Sequence, residues 1–416
     1  MSEGPLITND AVVLGILMAL LAFVFVTARS ERPSWRRFYG VVPSLLVCYF
    51  LPSVLTTLGV YDPAQSNLYF VASRYLLPAS LVLLTLSIDL PAIMRLGPKA
   101  GVMFLAGSFG IIVGGPLAIV IVGLFNPEVV GGAGPDAVWR GLTTVAGSWI
   151  GGGANQTAMK EVFEVGDDLF SAMIAVDVIV ANIWMAVLLF GVGRSARIDA
   201  FLRADNSAID EVRARVEAYR AEVTRVPELT DTMIVLGAGF GVTGICHFLA
   251  DRIAPWLAAN APALERFSLT SSFFWLVVFA TTGGLLLSGT RARELEGVGA
   301  SRIGSALLYV LIASVGMQMN LLAVTENPGL FAVGAVWITF HALVLLAVAK
   351  LIRAPYFFLA VGSQANVGGA ASAPIVASAF HPALAPVGVL LAVLGYALGT
   401  YGAWLCGQLM RVVAAG

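Results

Sequence analysis

The sequence predicts an all-α integral membrane protein made of two related halves. Three observations predict it: an apolar composition, repeated apolar segments of membrane-spanning length, and a glycine-broken segment in each half. Of the 416 residues, 58% are hydrophobic and 12% are charged, and the mean hydropathy is +0.88. The net charge of −1 provides no basic field for nucleic acid, so the partners expected are membrane lipid and a small-molecule substrate.

Apolar segments of about 20 residues, the length that crosses a bilayer, recur along the chain. Twelve are predicted, near 9–28, 38–60, 68–89, 99–125, 138–163, 168–193, 230–250, 268–288, 303–324, 329–352, 356–380 and 383–410. The domains expected are an N-terminal half (1–193), a polar connector (194–229) and a C-terminal half (230–416). Within the halves, 38–193 (repeat A) and 268–410 (repeat B) each hold five matching segments.

The two glycine-broken segments are the strongest functional signal. One runs from Gly147 to Thr157 and the other from Gly362 to Ser372, and an offset of 215 places Gly147-Ser148 on Gly362-Ser363. Non-helical backbone inside a membrane is tolerated only where it is buried in protein or lines a cavity. Paired broken helices in corresponding halves therefore indicate a transporter binding site.

The polar residues at these breaks are the predicted substrate site. They are Asn155, Gln156 and Thr157 in the first half, and Ser363, Gln364 and Asn366 in the second. Freed amides at a helix N-terminus suit an anionic group, whereas unwound carbonyls suit a small cation. The structural alternative is that amides and glycines only let two helices pack closely.

The distribution of basic residues predicts that the halves are inverted. Basic loops at 29–37 and 90–99 follow odd-numbered segments, whereas those at 289–302, 350–355 and the C-terminus follow even-numbered ones. Since basic loops face the cytoplasm, twelve single crossings cannot all be correct. The conflict predicts one miscounted crossing between 99 and 289, and the connector 194–267 is the expected place.

Asp177 is the predicted coupling residue. It lies near the middle of segment 168–193, where no Lys or Arg accompanies it, and an acid at that depth costs about 2.5–3.5 kcal/mol on insertion scales. It is expected to bind the coupling ion or carry a proton, or alternatively to be a structural acid. Asn182 is also considered for ion coupling, although it lies about 140° away around the helix.

A second offset, 231, places Ser87 and Asp89 on Gln318 and Asn320, which adds Gln318 and Asn320 to the substrate-site candidates. Asp89 is at a segment end, so a role in the site and simple contact with water are equally expected for it. His341, alone in an apolar segment, is interpreted as an interhelical hydrogen-bonding residue rather than a proton relay.

In the connector, five apolar residues form one narrow stripe on a helix: Ile209, Val212, Val216, Tyr219 and Val223. This stripe predicts either a surface helix or a dimer contact.

Several motifs together resemble one family. They are the run Gly362-Ser363-Gln364-Ala365-Asn366-Val367-Gly368-Gly369, the run Gly395-Tyr396-Ala397-Leu398-Gly399-Thr400-Tyr401, and the segment Pro43 to Pro52. The chain resembles the YjcL-like membrane proteins, domain of unknown function 819, which are related to the bile acid:sodium symporters, glutamate:sodium symporters and cation–proton antiporters. The resemblance implies two inverted five-helix repeats with crossing broken helices, in a core domain that moves against a panel domain.

The resemblance also implies residue roles. Asn155 occupies the place of a sodium ligand just after the first glycines, and Gln364 is similar to a glutamine at the second break. A sodium ion at Asn155, Gln364 and Asp177 is thus the metal site implied. Those symporters have a glutamate four residues before that glutamine, where this chain has Ala360. Either Asp177 supplies the missing charge or protons replace sodium.

The function expected is an ion-coupled secondary transporter of a small polar or anionic organic solute, such as an amino acid, dipeptide or carboxylate. No cofactor other than sodium and no enzymatic activity is expected, because phosphate-loop and metalloprotease motifs are missing. A multi-pass homodimer in the inner (plasma) membrane is expected. The alternatives are a cation–proton antiporter or channel without organic substrate, a membrane enzyme, and a sensor.

Overall fold

The computed structural model describes residues 6–39, 42, 44–88, 96–205, 227–267, 269–318, 327–381 and 384–414. These residues form helices and turns without a β-strand, so the all-α class is confirmed. The helices are α1 (Asp10–Ala28), α2 (Pro33–Tyr39), α3 (Ser44–Thr57), α4 (Leu68–Leu86, with a π-helical turn at Ala72–Leu76), α5 (Pro98–Phe125), α6 (Val138–Val162), α7 (Asp167–Val192), α8 (Ser195–Leu202), α9 (Leu229–Asn260), α10 (Ser272–Ser288), α11 (Ala300–Gln318), α12 (Gly329–Ile352), α13 (Tyr356–Val367), α14 (Gly369–Phe380) and α15 (Ala385–Ala414).

Eight helices among the described residues are long and apolar enough to cross a membrane, which makes this a multi-pass membrane protein. They are α1, α4, α5, α7, α9, α11, α12 and α15. Helix α10 meets that standard only together with the 3-10 helix Arg291–Val298, from which it is bent by 95°. The two glycine-broken segments are absent from this set, which is defined by length and composition.

The first broken segment, α6, folds back on itself at Gly152. This residue has φ 76° and ψ −175°, a conformation that glycine adopts without steric cost. Arg140 Nη1, at the start of α6, donates to the carbonyl oxygen of Phe163 just past its end, at 2.5 Å. Gly166 N donates to Pro135 O at 3.0 Å, which closes the base. The start of the first arm therefore lies beside the end of the second arm, and we call α6 hairpin 1.

The second broken segment also folds back. Gly369, with φ 58°, separates α13 from α14. Gln364 Nε2 donates to Ser372 Oγ at 2.7 Å near the turn, and the rings of Tyr356 and Phe380 lie 5.8 Å apart at the base. Residues equally distant from the break therefore face each other along both arms. We call α13 and α14 together hairpin 2.

The two hairpins open toward opposite ends of the helix bundle. Helices α5 and α12 are antiparallel, since Lys99 at the start of α5 donates to Arg353 O just after α12, whereas Gly329 at the start of α12 lies against Val129 just after α5. Hairpin 1 follows the end of α5 and hairpin 2 follows the end of α12. A count that gives each broken segment one of twelve single crossings therefore does not fit this topology.

This topology resolves the conflict in the basic loops. Hairpin 1, not the connector 194–267, is the miscounted crossing between 99 and 289, so that expectation is corrected. The described parts of the loops 29–37, 90–99, 289–302 and 350–355 then share one end of the bundle, which we call the arginine-rich end. Hairpin 2 is a second miscounted crossing, so Arg411 lies near the other end rather than with the basic loops.

The helices form two groups. The hairpin bundle contains α5, α6, α7, α12, α13, α14 and α15, and the scaffold bundle contains α1, α3, α4, α9, α10 and α11. Helices pack extensively within each group, whereas contacts between the groups are made mainly by α6 and α15 against α4, α10 and α11. Hairpin 1 therefore lies where the two groups meet.

Candidate functional site

Asn155 lies in the first turn after the break in hairpin 1 and is fully buried. Its Nδ2 donates to Gly151 O and to Tyr396 O on α15, both at 3.1 Å, and its Oδ1 accepts from Thr400 Oγ1 at 2.7 Å. Gly399 makes this approach possible, because a Cβ at that position would lie 2.6 Å from Asn155 Nδ2. The amide is thus held in one orientation against α15.

The hydrogen-bond chain at Asn155 continues into the scaffold bundle. Thr281 Oγ1, on α10, lies 2.9 Å from Thr400 Oγ1. Since Thr400 gives its hydroxyl hydrogen to Asn155, Thr281 donates to Thr400. A nearby bond between Thr282 Oγ1 and Tyr401 OH, at 2.7 Å, joins the same two helices. Hydroxyl groups therefore connect hairpin 1 to a helix of the other group.

Gln156 brings Asp177 to the tip of hairpin 1. Gln156 Nε2 donates to Asp177 Oδ2 at 2.9 Å, and Tyr49 OH, on α3, donates to Gln156 Oε1 at 3.3 Å. Asp177 is 4% exposed, and none of the ion pairs among the described residues includes it. A buried carboxylate is held here by amide donation, in a chain that begins on the scaffold bundle.

Thr157, also predicted for the substrate site, is fully buried. Its Oγ1 donates to Gly153 O at 3.1 Å, one turn earlier in the same arm. This is a side-chain bond to the backbone one turn earlier, within the second arm. The Thr157 hydroxyl is thus engaged inside hairpin 1.

Ser363, in hairpin 2, belongs to a network that stays within the hairpin bundle. Trp184 Nε1 donates to Ser363 Oγ, and Ser363 Oγ lies 2.8 Å from His341 Nε2. His341 Nδ1 lies 3.0 Å from Gly107 O, and a carbonyl only accepts, so Nδ1 carries the hydrogen and Nε2 accepts from Ser363. His341 thus makes the interhelical bonds that its isolated position in the sequence indicated.

Asn366 clamps hairpin 2 to α5. Its Nδ2 donates to Phe104 O and Gly362 O, both at 2.9 Å, and its Oδ1 accepts from Ser108 Oγ at 2.7 Å. Gln364 differs, because Nε2 donates to Ser372 while the buried Oε1 has no partner among the described residues. Gln364 Oε1 is the hairpin 2 oxygen left available for a ligand.

The remaining candidates lie apart from this group. Asn182 Nδ2 donates to Val178 O of its own helix at 2.7 Å. Gln318 ends α11, and no hydrogen bond among the described residues joins it to either hairpin. Asn320, Asp89 and the apolar stripe of 209–223 lie outside the described residues. The structure therefore gathers Asn155, Gln156 and Asp177 near one tip, and does not bring Asn182 or Gln318 there.

Sequence reasoning missed four residues that connect the bundles at the end of hairpin 1. They are Lys160 and Glu161 in hairpin 1, and Tyr69 and Arg74 in α4. Glu161 accepts from Tyr69 OH and pairs with Arg74 at 3.0 Å, and Lys160 pairs with Asp167 at 2.6 Å. Lys160 Nζ also donates to Tyr69 OH at 3.1 Å. The one available signal was the pair Lys160-Glu161 within an otherwise apolar segment.

No group of three His, Cys, Asp or Glu residues that would hold a metal occurs in the described ranges. The oxygens expected to bind sodium differ in availability. Asn155 Oδ1 and Asp177 Oδ2 already accept hydrogen bonds, whereas Gln364 Oε1 does not. The sodium site stays a prediction.

Comparison with known proteins yields one family and one relative. The family described as "Protein of unknown function (DUF819)" matches residues 15–413. Among curated proteins, the "Uncharacterized membrane protein YjcL" of Bacillus subtilis (strain 168) is 25% identical over 414 residues, which cover 95% of each chain. The similarity therefore includes both hairpins and the helices around them.

Proposed function

Since the chain belongs to the DUF819 family of membrane proteins, we propose that it is an ion-coupled secondary transporter of a small polar or anionic organic solute, working by alternating access. One observation carries the proposal. Two glycine-broken hairpins enter the bundle from opposite ends, each has buried polar residues near its break, and both contact α15 and each other. Broken helices that meet inside a membrane protein are the usual framework of a transport site.

Two features support inverted repeats and a moving core. The hairpins occupy corresponding places in the two halves, each after a long antiparallel partner helix, and they open to opposite ends. The hairpin bundle plays the part of the core and the scaffold bundle that of the panel. Tyr49 donates to Gln156 of hairpin 1 and Thr281 donates to Thr400 of α15, and each of these single hydrogen bonds is worth about 1 kcal/mol. These two bonds could be exchanged at small cost if one group slid past the other.

In this proposal Asp177 is the coupling group, acting as a proton carrier or a sodium ligand. Its carboxylate is buried beside Gln156, so gaining or losing a cation there would change the acceptor to which Gln156 Nε2 donates. Because Gln156 also accepts from Tyr49, the change would be passed to the contact between the bundles. The solute would bind at the hairpin tips, near Asn155, Gln156 and Gln364.

The proposal includes no enzymatic activity and an inner-membrane location. With both hairpins re-entrant, the described basic loops share the arginine-rich end, and the positive-inside rule places that end in the cytoplasm. A homodimer is also proposed. The candidate contact surfaces are on α1 and α9, because only 28% of the most apolar stretch of each helix is buried within one chain. Cross-linking in native membranes would test them.

The test is solute uptake by proteoliposomes. Amino acids, dipeptides and carboxylates are first screened by thermal shift, with and without sodium, and stabilising solutes are then followed as radiolabelled uptake. We expect accumulation that needs a sodium or proton gradient and falls at least tenfold in Asp177→Asn. Asp168→Asn, an exposed acid on the same helix, is the matched control and should transport normally.

Two results would contradict the proposal. Normal accumulation by Asp177→Asn would remove the coupling role. Gradient-driven ion flux that is insensitive to every solute would instead favour the antiporter or channel.

A further inference from the structure

The arginine-rich end carries a surface that the transport proposal does not use. Helix α8 follows α7 directly and lies across the end of the hairpin bundle, in contact with α7, α12 and α13. Leu202, the last residue of α8, is buried, whereas its neighbour Phe201 is 60% exposed. A short helix with one apolar residue packed inward and an aromatic ring turned outward is typical of the membrane–water boundary.

Two acids, Asp199 in α8 and Asp205 just after it, fasten this segment to the bundle. Asp199 Oδ1 accepts from Tyr356 N at 2.7 Å, at the first residue of hairpin 2, and Asp205 Oδ2 accepts from Lys99 Nζ at 3.0 Å. Asp205 N also donates to Arg353 O at 3.1 Å. Both carboxylates thus hold α8 and the residues that follow it in place, and several cations lie on the exposed side.

Those cations form a group that we call the α8 basic surface. Its members are Arg194, Arg197, Arg203, Lys350 and Arg353, all of them exposed. None of the ion pairs among the described residues includes any of the five. The group gathers five cations at an end of the bundle where helix ends converge.

The cations alternate with exposed apolar side chains. Lys350 Nζ lies 4.0 Å from the centre of the Phe201 ring, and Arg194 Cζ lies 3.7 Å from that of Phe190. Leu351, next to Lys350, is 83% exposed. Paired charge and exposed apolar surface suit a ligand that itself has a phosphate next to hydrocarbon.

We propose that the α8 basic surface binds the headgroup of an anionic phospholipid, with Phe201 and Leu351 in contact with its acyl chains. The five cations complement the phosphate, and polybasic surfaces at this depth attract anionic lipid. The proposal does not depend on transport. Because Asp199 joins α8 to the first residue of hairpin 2, a bound lipid would also steady the base of that hairpin.

The test uses purified full-length protein in a neutral detergent. Its thermal midpoint is followed while phosphatidylglycerol, phosphatidylcholine or inorganic phosphate is added. We expect saturable stabilisation by phosphatidylglycerol alone. The triple variant Arg197→Gln/Arg203→Gln/Lys350→Gln should bind it about a hundredfold more weakly, at roughly fivefold per cation near an anionic surface.

The control removes equal charge elsewhere at the same end: Arg29→Gln/Arg32→Gln/Arg36→Gln, which should keep the wild-type response. A second variant, Phe201→Ser, should weaken phosphatidylglycerol binding without changing the charge. Equal losses in both triple variants would show a diffuse field and overturn the proposal. So would stabilisation by inorganic phosphate to the same extent, or no response of the wild-type protein to phosphatidylglycerol.

Discussion

The two hairpins both fold back at a glycine, but their polar side chains bond to different groups of helices. In hairpin 1, hydrogen-bond chains through Asn155 and Gln156 reach Thr281 and Tyr49 of the scaffold bundle. In hairpin 2, Ser363 and Asn366 bond to α5, α7 and α12, all within the hairpin bundle. Similar breaks thus serve two purposes. Hairpin 1 contacts the surface where motion is proposed, whereas hairpin 2 is anchored within its own group.

The largest effect on stability is expected from Asn366→Ala. The substitution removes three buried hydrogen bonds, each worth about 1 kcal/mol, and leaves Ser108 Oγ and Phe104 O with one bond fewer. The free energy of unfolding in denaturant should fall by about 3 kcal/mol. Asn182→Ala, which removes one bond to its own helix, should lower it by about 1 kcal/mol or less. Equal effects of the two substitutions would disprove the anchoring role of hairpin 2.

A smaller loss of stability is expected from Gly152→Ala, whereas its control, Gly101→Ala, should gain stability. A Cβ at φ 76° and ψ −175° is strained by about 1–3 kcal/mol, although space beside Gly152 is ample, since the nearest atom to such a Cβ is 3.9 Å away. The variant should unfold more easily and transport more slowly. Gly101→Ala, inside α5 with no atom within 4 Å, should gain about 1 kcal/mol from helix propensity. Unchanged stability of Gly152→Ala would mean that hairpin 1 does not turn at this residue.

The sequence predicted the breaks but not their return. Three consecutive glycines permit a residue with positive φ, so the place of the turn at Gly152 is local information. Whether the second arm continues across the membrane or folds back depends on contacts such as Arg140 with Phe163. Hydropathy does set the two broken segments apart, since neither is among the helices long and apolar enough to cross a membrane, but it does not distinguish a folded-back pair of arms from a polar crossing helix.

The same limit applies to the site. The depth of Asp177 follows from its position in an apolar segment, and its burial agrees with that prediction. Its neighbours depend on how α7 is rotated, which packing sets. Tyr49 could not be found, because a tyrosine in an apolar run has no local feature that separates a hydrogen-bond donor from a packing residue. Asn366 looked like a ligand residue from its motif, yet its amide is used by bonds to Ser108 and Phe104 of α5 and to Gly362 of its own arm.

The smallest effect on stability is expected from Glu161→Gln, which tests whether hairpin 1 is fastened to the scaffold bundle at its end. Glu161 is partly buried and pairs with Arg74 at 3.0 Å, so its loss should lower the free energy of unfolding by about 1 kcal/mol. Hydrogen exchange should rise in the second arm of hairpin 1 and in the π-helical turn of α4, because both ends of the contact are released. Glu164→Gln is the matched control, since its pair with Arg140 is longer, at 3.9 Å, and Glu164 is 82% exposed. Its stability should stay within about 0.5 kcal/mol of the wild type. If exchange rises equally in hairpin 2 after Glu161→Gln, the two hairpins open as one unit, and the distinction between an anchored and an interfacial hairpin fails.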